Sequence, residues 1–277
     1  MSNLPRLKSR LRSMGGLESV LEAMMLVSAV EVQKMKHVHQ LAQNYFGKVE
    51  RLIEEVGVKF DRNGKDKVGK TLLVLIVSNK GLCASFNSLL HKKAYSFFDR
   101  AQGEVELLIL GRKGLEFKTR GHRAEYAYSY SYEPSFEKSS LLAERLMQRF
   151  EQEWDEVYIG YNKYHSFIYQ QPTIERLMPF VFPGKSALDE CCYFEPEQKK
   201  YKAELAKLYF RVLLHKIIIE SDLGEVSTRM FTLKGATDKS KDMLSELSLM
   251  INKERQAMIN RELAEIASTF EILREES

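Results

Sequence analysis

Residues 4–58 read LPRLKSRLRSMGGLESVLEAMMLVSAVEVQKMKHVHQLAQNYFGKVERLIEEVGV. Apolar side chains fall at Leu4, Leu7, Leu11, Met14, Leu17, Leu21 and Met24, then at Val27, Val32, Met35, Val38, Leu41, Tyr45, Val49, Leu52 and Val56. The steps are mostly three and four, the spacing that lays an apolar stripe along an α-helix. Pro5 sits where a first-turn proline is tolerated, and no proline follows it in the stretch. Gly15-Gly16 is a weak point, costing about 1 kcal/mol per glycine relative to alanine. A helix of about 50 residues would measure roughly 75–80 Å. No single-domain core covers that length, so the stretch requires a partner helix.

The other end of the chain supplies one. From residue 197 to 275 the apolar positions Leu205, Leu208, Val212, Ile219, Leu223, Val226, Met230, Leu233, Leu244, Leu247, Ile251, Met258 and Ile266 again step by threes, fours and sevens. Gly224 and Gly235 are tolerated interruptions, and the pattern predicts a second helix of roughly 115–120 Å.

Between the two, the period changes. Thr71–Val77 (TLLVLIV) predicts a buried strand, Phe86–Arg100 a helix, Glu104–Leu110 a strand and Arg112–Arg120 a short helix. Ala124–Tyr132 predicts a weaker strand, Ser135–Glu153 a helix, Asp155–Tyr161 a strand, and Ser166–Phe182 an extended pair or one long strand. Such alternation implies a mostly parallel sheet with helices on its faces. The expected fold class is α/β, a Rossmann-like domain over residues 68–196. An N-terminal helix over 1–58 and a C-terminal helix over 197–277 flank it and return alongside each other as a long antiparallel coiled coil.

The 277 residues carry a formal net charge of +4, with 44% hydrophobic and 29% charged residues, which argues against global disorder. The basic excess is too mild and dispersed to argue for nucleic acid. Cys83, Cys191 and Cys192 form no disulfide framework and no metal spacing, which points to a reducing compartment. The basic residues 1–12 precede no secretory h-region. The longest apolar run, Leu72–Val77, is far short of the roughly 18–20 residues that span a bilayer, so the chain is not expected to cross a membrane by itself.

Chemical motifs are sparse. Gly64-Lys-Asp-Lys-Val-Gly69-Lys70-Thr71 matches the literal P-loop pattern, but a strand leaves it where a phosphate site needs a helix N-terminus. It reads as a solvated basic connector. Gly111-Arg-Lys-Gly114 reads as a tight strand-to-helix turn. The six histidines show no metal spacing, and His37 and His39 point to different helix faces. Asp155 and Glu156 read as solvated, and Trp154 as a packing residue. Ser78 lacks the G-x-S-x-G of a nucleophile elbow. Tyr126, Tyr128, Tyr130 and Tyr132 alternate, as on a half-buried edge strand or an aromatic binding ladder. These residues describe a protein with no recognisable catalytic, cofactor or metal site.

Six segments in order resemble the γ subunit family of F-type ATP synthases. Arg229-Met-Phe-Thr-Leu-Lys-Gly-Ala-Thr237-Asp238 is similar to that family's R-M-x-x-M-K-x-A-T-D, and Ile251-Asn-Lys-Glu-Arg255-Gln256-Ala257 to its Y-N-x-x-R-Q-A. Ile259-x-x-Glu262-Leu-x-Glu265-Ile266 resembles its closing segment, and Ala23-Met24-x-x-Val27-Ser28-Ala29 its A-M-x-M-V-A-A. Ser78-Asn-Lys-Gly81-Leu82-Cys83 with Asn87 resembles S-D-R-G-L-C-G-x-x-N, and Phe194-Glu195-Pro196 the boundary before the second long helix. The resemblance implies a non-catalytic central rotor stalk that couples ion flow through a membrane ring to ATP synthesis or hydrolysis by rotation. It implies catalytic α and β subunits, an ε subunit and the ring as partners, at the cytoplasmic face of a bacterial inner membrane.

By the same resemblance Arg255, Gln256, Asn260 and Glu262 would contact a catalytic subunit, and Met24 and Val27 would lie at the shaft bearing. Cys192, Phe194 and Glu195 would meet the ring and ε. Departures mark a divergent branch: Val30-Glu31 stands for the family's Ser-Lys, a charge reversal, and Gly15-Gly16-Leu17 replaces polar or basic residues. Asn260 replaces a threonine, and Thr269-Phe270 a Gly-Ala pair. The coupling ion, proton or sodium, stays open, because ion choice belongs to the ring. Two other functions fit parts of the pattern: a coiled-coil scaffold, and a nucleotide-binding enzyme using Gly64–Thr71.

Overall fold

A computed structural model describes residues 3–61, 69–101, 103–117, 121–127, 135–184 and 197–275. Helix α1 spans Leu4–Val56 and is followed by a three-residue strand β1, Val58–Phe60. Then come β2 (Lys70–Ile76), α2 (Phe86–Phe98), β3 (Glu104–Leu110), a 3₁₀ turn (Arg112–Glu116) and β4 (Ala124–Ala127). Helix α3 (Phe136–Glu153), strands β5 (Glu156–Tyr164), β6 (Gln170–Met178) and β7 (Phe180–Phe182), and helix α4 (Gln198–Glu275) complete the order.

The five-stranded sheet runs β4-β3-β2-β5-β6. β2 pairs in parallel with β3 and β5, and β3 with β4, while β6 joins antiparallel to β5. The continuous apolar run of β2 has its reason in this position: a central parallel strand is covered on both faces. Leu72, Val74 and Ile76 pack toward Ala143, Leu146 and Phe150 of α3 and Phe210, Leu214 and Ile217 of α4. Leu73, Leu75 and Val77 pack toward Leu90, Ala94 and Phe98 of α2. The period of two thus separates two apolar layers across one sheet.

The stretch 166–182, expected as an extended pair or single long strand, holds two strands that belong to different sheets. β6 extends the main sheet, the cis peptide Met178–Pro179 follows, and β7 pairs antiparallel with β1 in a separate ribbon. The predicted helix at 112–120 is a 3₁₀ turn over its described part. Beyond Ala127 the expected strand, with Tyr128, Tyr130 and Tyr132, lies outside the described residues, as do Gly64 to Val68 of the P-loop match and Cys191 to Pro196.

By packing, the chain forms two units. One comprises residues 28–231: the sheet, α2, α3, the second half of α1 and the first part of α4. Within it α1 and α4 pack antiparallel. Phe46, Val49, Ile53 and Val56 meet Leu205, Ala206, Tyr209 and Val212, and Met35 meets Ile219 and Leu223. The other unit comprises 1–27 and 232–277. Its helices are also antiparallel partners, and Lys241 of α4 reaches Glu22 at 3.6 Å and Glu18 at 3.9 Å, one turn apart on α1.

Gly15-Gly16 does not break α1, and an added Cβ at either would meet nothing within 4 Å. Counting uninterrupted apolar runs passes over one property of α1. An 18-residue window of it is apolar enough by composition to cross a membrane, and only 6% of that window is buried.

Candidate functional site

The first cluster of chemistry-bearing groups lies where β2 ends, in the unit of residues 28–231. The loop from Ser78 to Ser85 leaves the sheet with two non-glycine residues at positive φ, Leu82 at 62° and Ala84 at 42°. Such backbone costs on the order of 1–3 kcal/mol per residue and persists only where the surroundings impose it. Here they do. Asn87 of α2 accepts from the Ser78 amide at 3.0 Å and donates to the Ser78 hydroxyl at 2.7 Å. Glu225 of α4 accepts from the amides of Asn79 at 3.0 Å and Lys80 at 3.2 Å.

Arg229, one turn further along α4, is buried. Its Nε donates to the Gly81 carbonyl at 3.2 Å, and its guanidinium pairs with Glu225 and lies 3.5 Å from the Cys83 sulfur. Burial opposes the guanidinium's charge, and Glu225, Cys83 and Glu31 together more than offset it and hold it charged. Glu31 of α1 closes the cluster, accepting from the Lys80 ammonium at 3.0 Å and standing 3.8 Å from Arg229. The position at which the sequence reverses the family's charge therefore faces two cations.

Burial pushes the Cys83 thiol up to about 11, partly offset by Arg229. That thiol stays protonated at neutral pH and is a poor nucleophile. Asp222, on the preceding turn of α4, is pushed up to about 7 by burial and by Glu225. Ser78 is buried and donates to the Lys80 carbonyl at 2.9 Å, a structural role.

The remaining motifs resolve as structure. Lys70, the last cation of the P-loop match, leads directly into β2 and pairs with Glu104 at 3.1 Å and Glu106 at 3.9 Å. Gly111 has φ 114°, and a Cβ there would sit 2.1 Å from the Val77 carbonyl oxygen, so the tight turn admits only glycine. Trp154 is buried, and its Nε1 donates to the buried Glu106 carboxylate at 3.0 Å. Asp155 accepts from the Gly69 amide at 2.6 Å, and Glu156 stands 3.5 Å from Arg176. His39 is buried in α1 and His37 is exposed. Among the described residues no group of three His, Cys, Asp or Glu could hold a metal ion.

The second candidate surface belongs to the helical unit. Met24 and Val27 are both exposed, Val27 at 60%, and three residues apart they share a face of α1. Val20 and Leu17 are exposed about one and two turns before Met24. On α4, Arg255, Gln256, Asn260 and Glu262 are all exposed. Helical rotation of about 100° per residue puts Arg255 and Glu262 on one side, and Gln256 and Asn260 together on another. The exposed apolar residues Leu249, Met250, Ile259, Leu263 and Ile266 are interspersed with them. This surface presents apolar contact area and both signs of charge. Cys192, Phe194 and Glu195 lie outside the described residues.

Comparison with known proteins fits this geometry. The family model described as ATP synthase matches residues 3–273. The ATP synthase gamma chain of Geobacter sp. strain M21 is 30% identical over 287 aligned positions, covering 99% of this chain and all of that one. The gamma chain of Rubrobacter xylanophilus is 31% identical, covering 99% of both. In structure the chain is similar to one from the rotor of the Euglena gracilis mitochondrial ATP synthase, with TM-score 0.62 at 14% identity, covering 93% of this chain and 99% of that one. It is also similar to one from the central stalk and c-ring assembly of the Tetrahymena thermophila enzyme, with TM-score 0.61 at 21% identity, covering 78% and 99%. The chain belongs to the gamma chain family of ATP synthases.

Proposed function

We propose that this chain is the central rotor-stalk subunit of an F-type ATP synthase, coupling ion flow through a membrane ring to ATP synthesis or hydrolysis by rotation. The carrying observation is the family match over residues 3–273 on a chain whose two end helices pack as antiparallel partners around a mostly parallel sheet. The partners are the catalytic α and β subunits, the ε subunit and the ring.

In this reading the three sequence segments divide the work: 1–58 and 197–277 form the stalk, and 68–196 the base. The subunit itself is non-catalytic. Its contribution is mechanical, pressing each catalytic subunit in turn and changing that subunit's nucleotide affinity. Arg255, Gln256, Asn260 and Glu262 are the proposed contacts to a catalytic subunit, with five guanidinium donors and a full set of amide and carboxylate groups to offer. Met24 and Val27 are the proposed bearing, where an exposed apolar face needs a protein surface opposite it. Cys192, Phe194 and Glu195 are the proposed foot toward the ring and ε. The complex sits peripherally on the cytoplasmic face of a bacterial inner membrane.

Reconstitution with and without the chain tests this. Ion-driven ATP synthesis should vanish on omission, and full coupling without the chain would end the proposal. The nucleotide-binding alternative draws no support from Lys70, whose ammonium is engaged by two carboxylates.

A further inference from the structure

Three segments that are distant in sequence meet in one charge cluster of the unit 28–231. α1 contributes Glu31, the loop after β2 contributes Lys80 and the Gly81 carbonyl, and α4 contributes Glu225 and Arg229. Most loop ties run through backbone groups, which any side chain at positions 79–81 would preserve. The tie to α1 is different, because it depends on the sign of one side chain. Glu31 is paired with the Lys80 ammonium at 3.0 Å and faces the Arg229 guanidinium at 3.8 Å. Its side chain is 24% exposed and Arg229's 4%, so the pair is only partly screened by water.

We infer that Glu31 is a positioning residue of the rotor: through Lys80 and Arg229 it locks α1 against the sheet loop and α4, so that twist applied to either helix reaches the sheet. The inference rests on the rotor-stalk reading. The physical reason is directional. Apolar contacts such as Met35 against Ile219 and Leu223 resist separation of the two helices but allow small sliding. A carboxylate held between two cations from two other segments fixes rotation as well. Replacing it by a third cation converts two attractions into two repulsions in a partly buried site.

The test uses the assembled membrane enzyme in inverted vesicles. It compares ATP hydrolysis with ATP-driven ion uptake, followed both by a proton-sensitive dye and by sodium tracer, and records the melting temperature of each variant. E31K should lower the ratio of uptake to hydrolysis by about fivefold, and E31K/K80E, which restores the pairing with position 80 but leaves the new cation at position 31 facing Arg229, should recover part of that loss. A loss of stability alone would lower the melting temperature with the ratio unchanged, and that result overturns the inference. So does a double variant no better than E31K. If E31K does not assemble, E31Q decides, because it removes the charge at nearly constant shape. A fall in the ratio of about twofold supports the lock, and an unchanged ratio overturns it. Total loss of activity on omitting the chain bears on the rotor reading, whereas these variants keep the chain in place and score only the lock.

Discussion

The two units of this chain use the same helices in opposite ways. In residues 28–231, α1 and α4 close over a sheet, and side chains such as Ile53, Phe150, Ile159 and Leu214 are fully buried. In 1–27 with 232–277 the buried positions thin to Leu233, Thr237, Ser240 and Leu247, in steps of four, three and seven. Two of those four are hydroxyls. Thr237 donates back to the Leu233 carbonyl at 2.9 Å, and the buried Ser240 oxygen has no hydrogen-bond partner among the described residues. Around that narrow seam, Leu17, Val20, Val27, Leu249, Leu263 and Ile266 stand exposed. The first unit encloses an apolar core, although Val30, Leu115, Ile168 and Val181 stand exposed on it, whereas the second has little beyond its seam; under the proposed function, catalytic subunits would cover the second unit's exposed residues. The burial that holds the fold is thereby concentrated in one stretch of the same two helices and sparse in the other.

Truncation of core residues should separate the units most strongly. Phe150→Ala removes a fully buried ring that packs with Phe60 and Trp154, and should destabilise by about 3–5 kcal/mol in urea denaturation. Leu263→Ala, in the helical unit, should change stability by less than about 0.5 kcal/mol while lowering coupled activity in the assembled enzyme. Equal effects on stability would erase the distinction.

Gly111→Ala should cost about 3 kcal/mol by the same measurement, since its Cβ would collide with the Val77 carbonyl in a backbone that L side chains rarely adopt. Gly15→Ala should do the reverse and stabilise by about 0.5–1 kcal/mol, because the added methyl meets nothing and the helix gains propensity.

The pH dependence sharpens the contrast within the larger unit. Asp222, raised to about 7 by burial and Glu225, is penalised when ionised, so stability it lends at low pH is lost as pH rises from the usual carboxylate range through 7. Asp222→Asn should therefore be more stable than the parent at pH 8, and the gap should close toward pH 4. His39, lowered by burial and by Lys216, and His215, lowered by burial, act with the opposite sign. Their contribution is present above the ordinary histidine value of 6.5 and falls as pH drops below it. In the Asp222→Asn background, denaturation should show that acid loss without the opposing carboxylate.

The sequence made the long periods plain and the short or distant features obscure. β3 was legible at its observed bounds and β2 to within one residue, because a central parallel strand is a continuous apolar run. The two long helices were legible from their stripes. β1, Val58–Phe60, is three residues ending a helical pattern, too short to announce a change of period. Glu106 gave no sign of being buried, because its partner Trp154 is 48 positions away. Ser78 to Cys83 and Arg229 stood out as family motifs, but nothing local tells that Arg229 reaches back 148 positions to the Gly81 carbonyl. Glu31 was visible only as a departure, and its two cations explain it. The proposed partner contacts on α4 came from the family resemblance alone, and the fold adds that all four side chains are exposed.

Rotation of the larger unit is the most direct test of the account. Lys93 is exposed on α2, so a bead can be carried by K93C in a chain where Cys191 and Cys192 are replaced by serine, with the assembled catalytic subunits fixed to a surface. On adding ATP the bead should turn continuously in one direction. A bead that stays fixed while the same complexes hydrolyse ATP at the full rate would contradict the account.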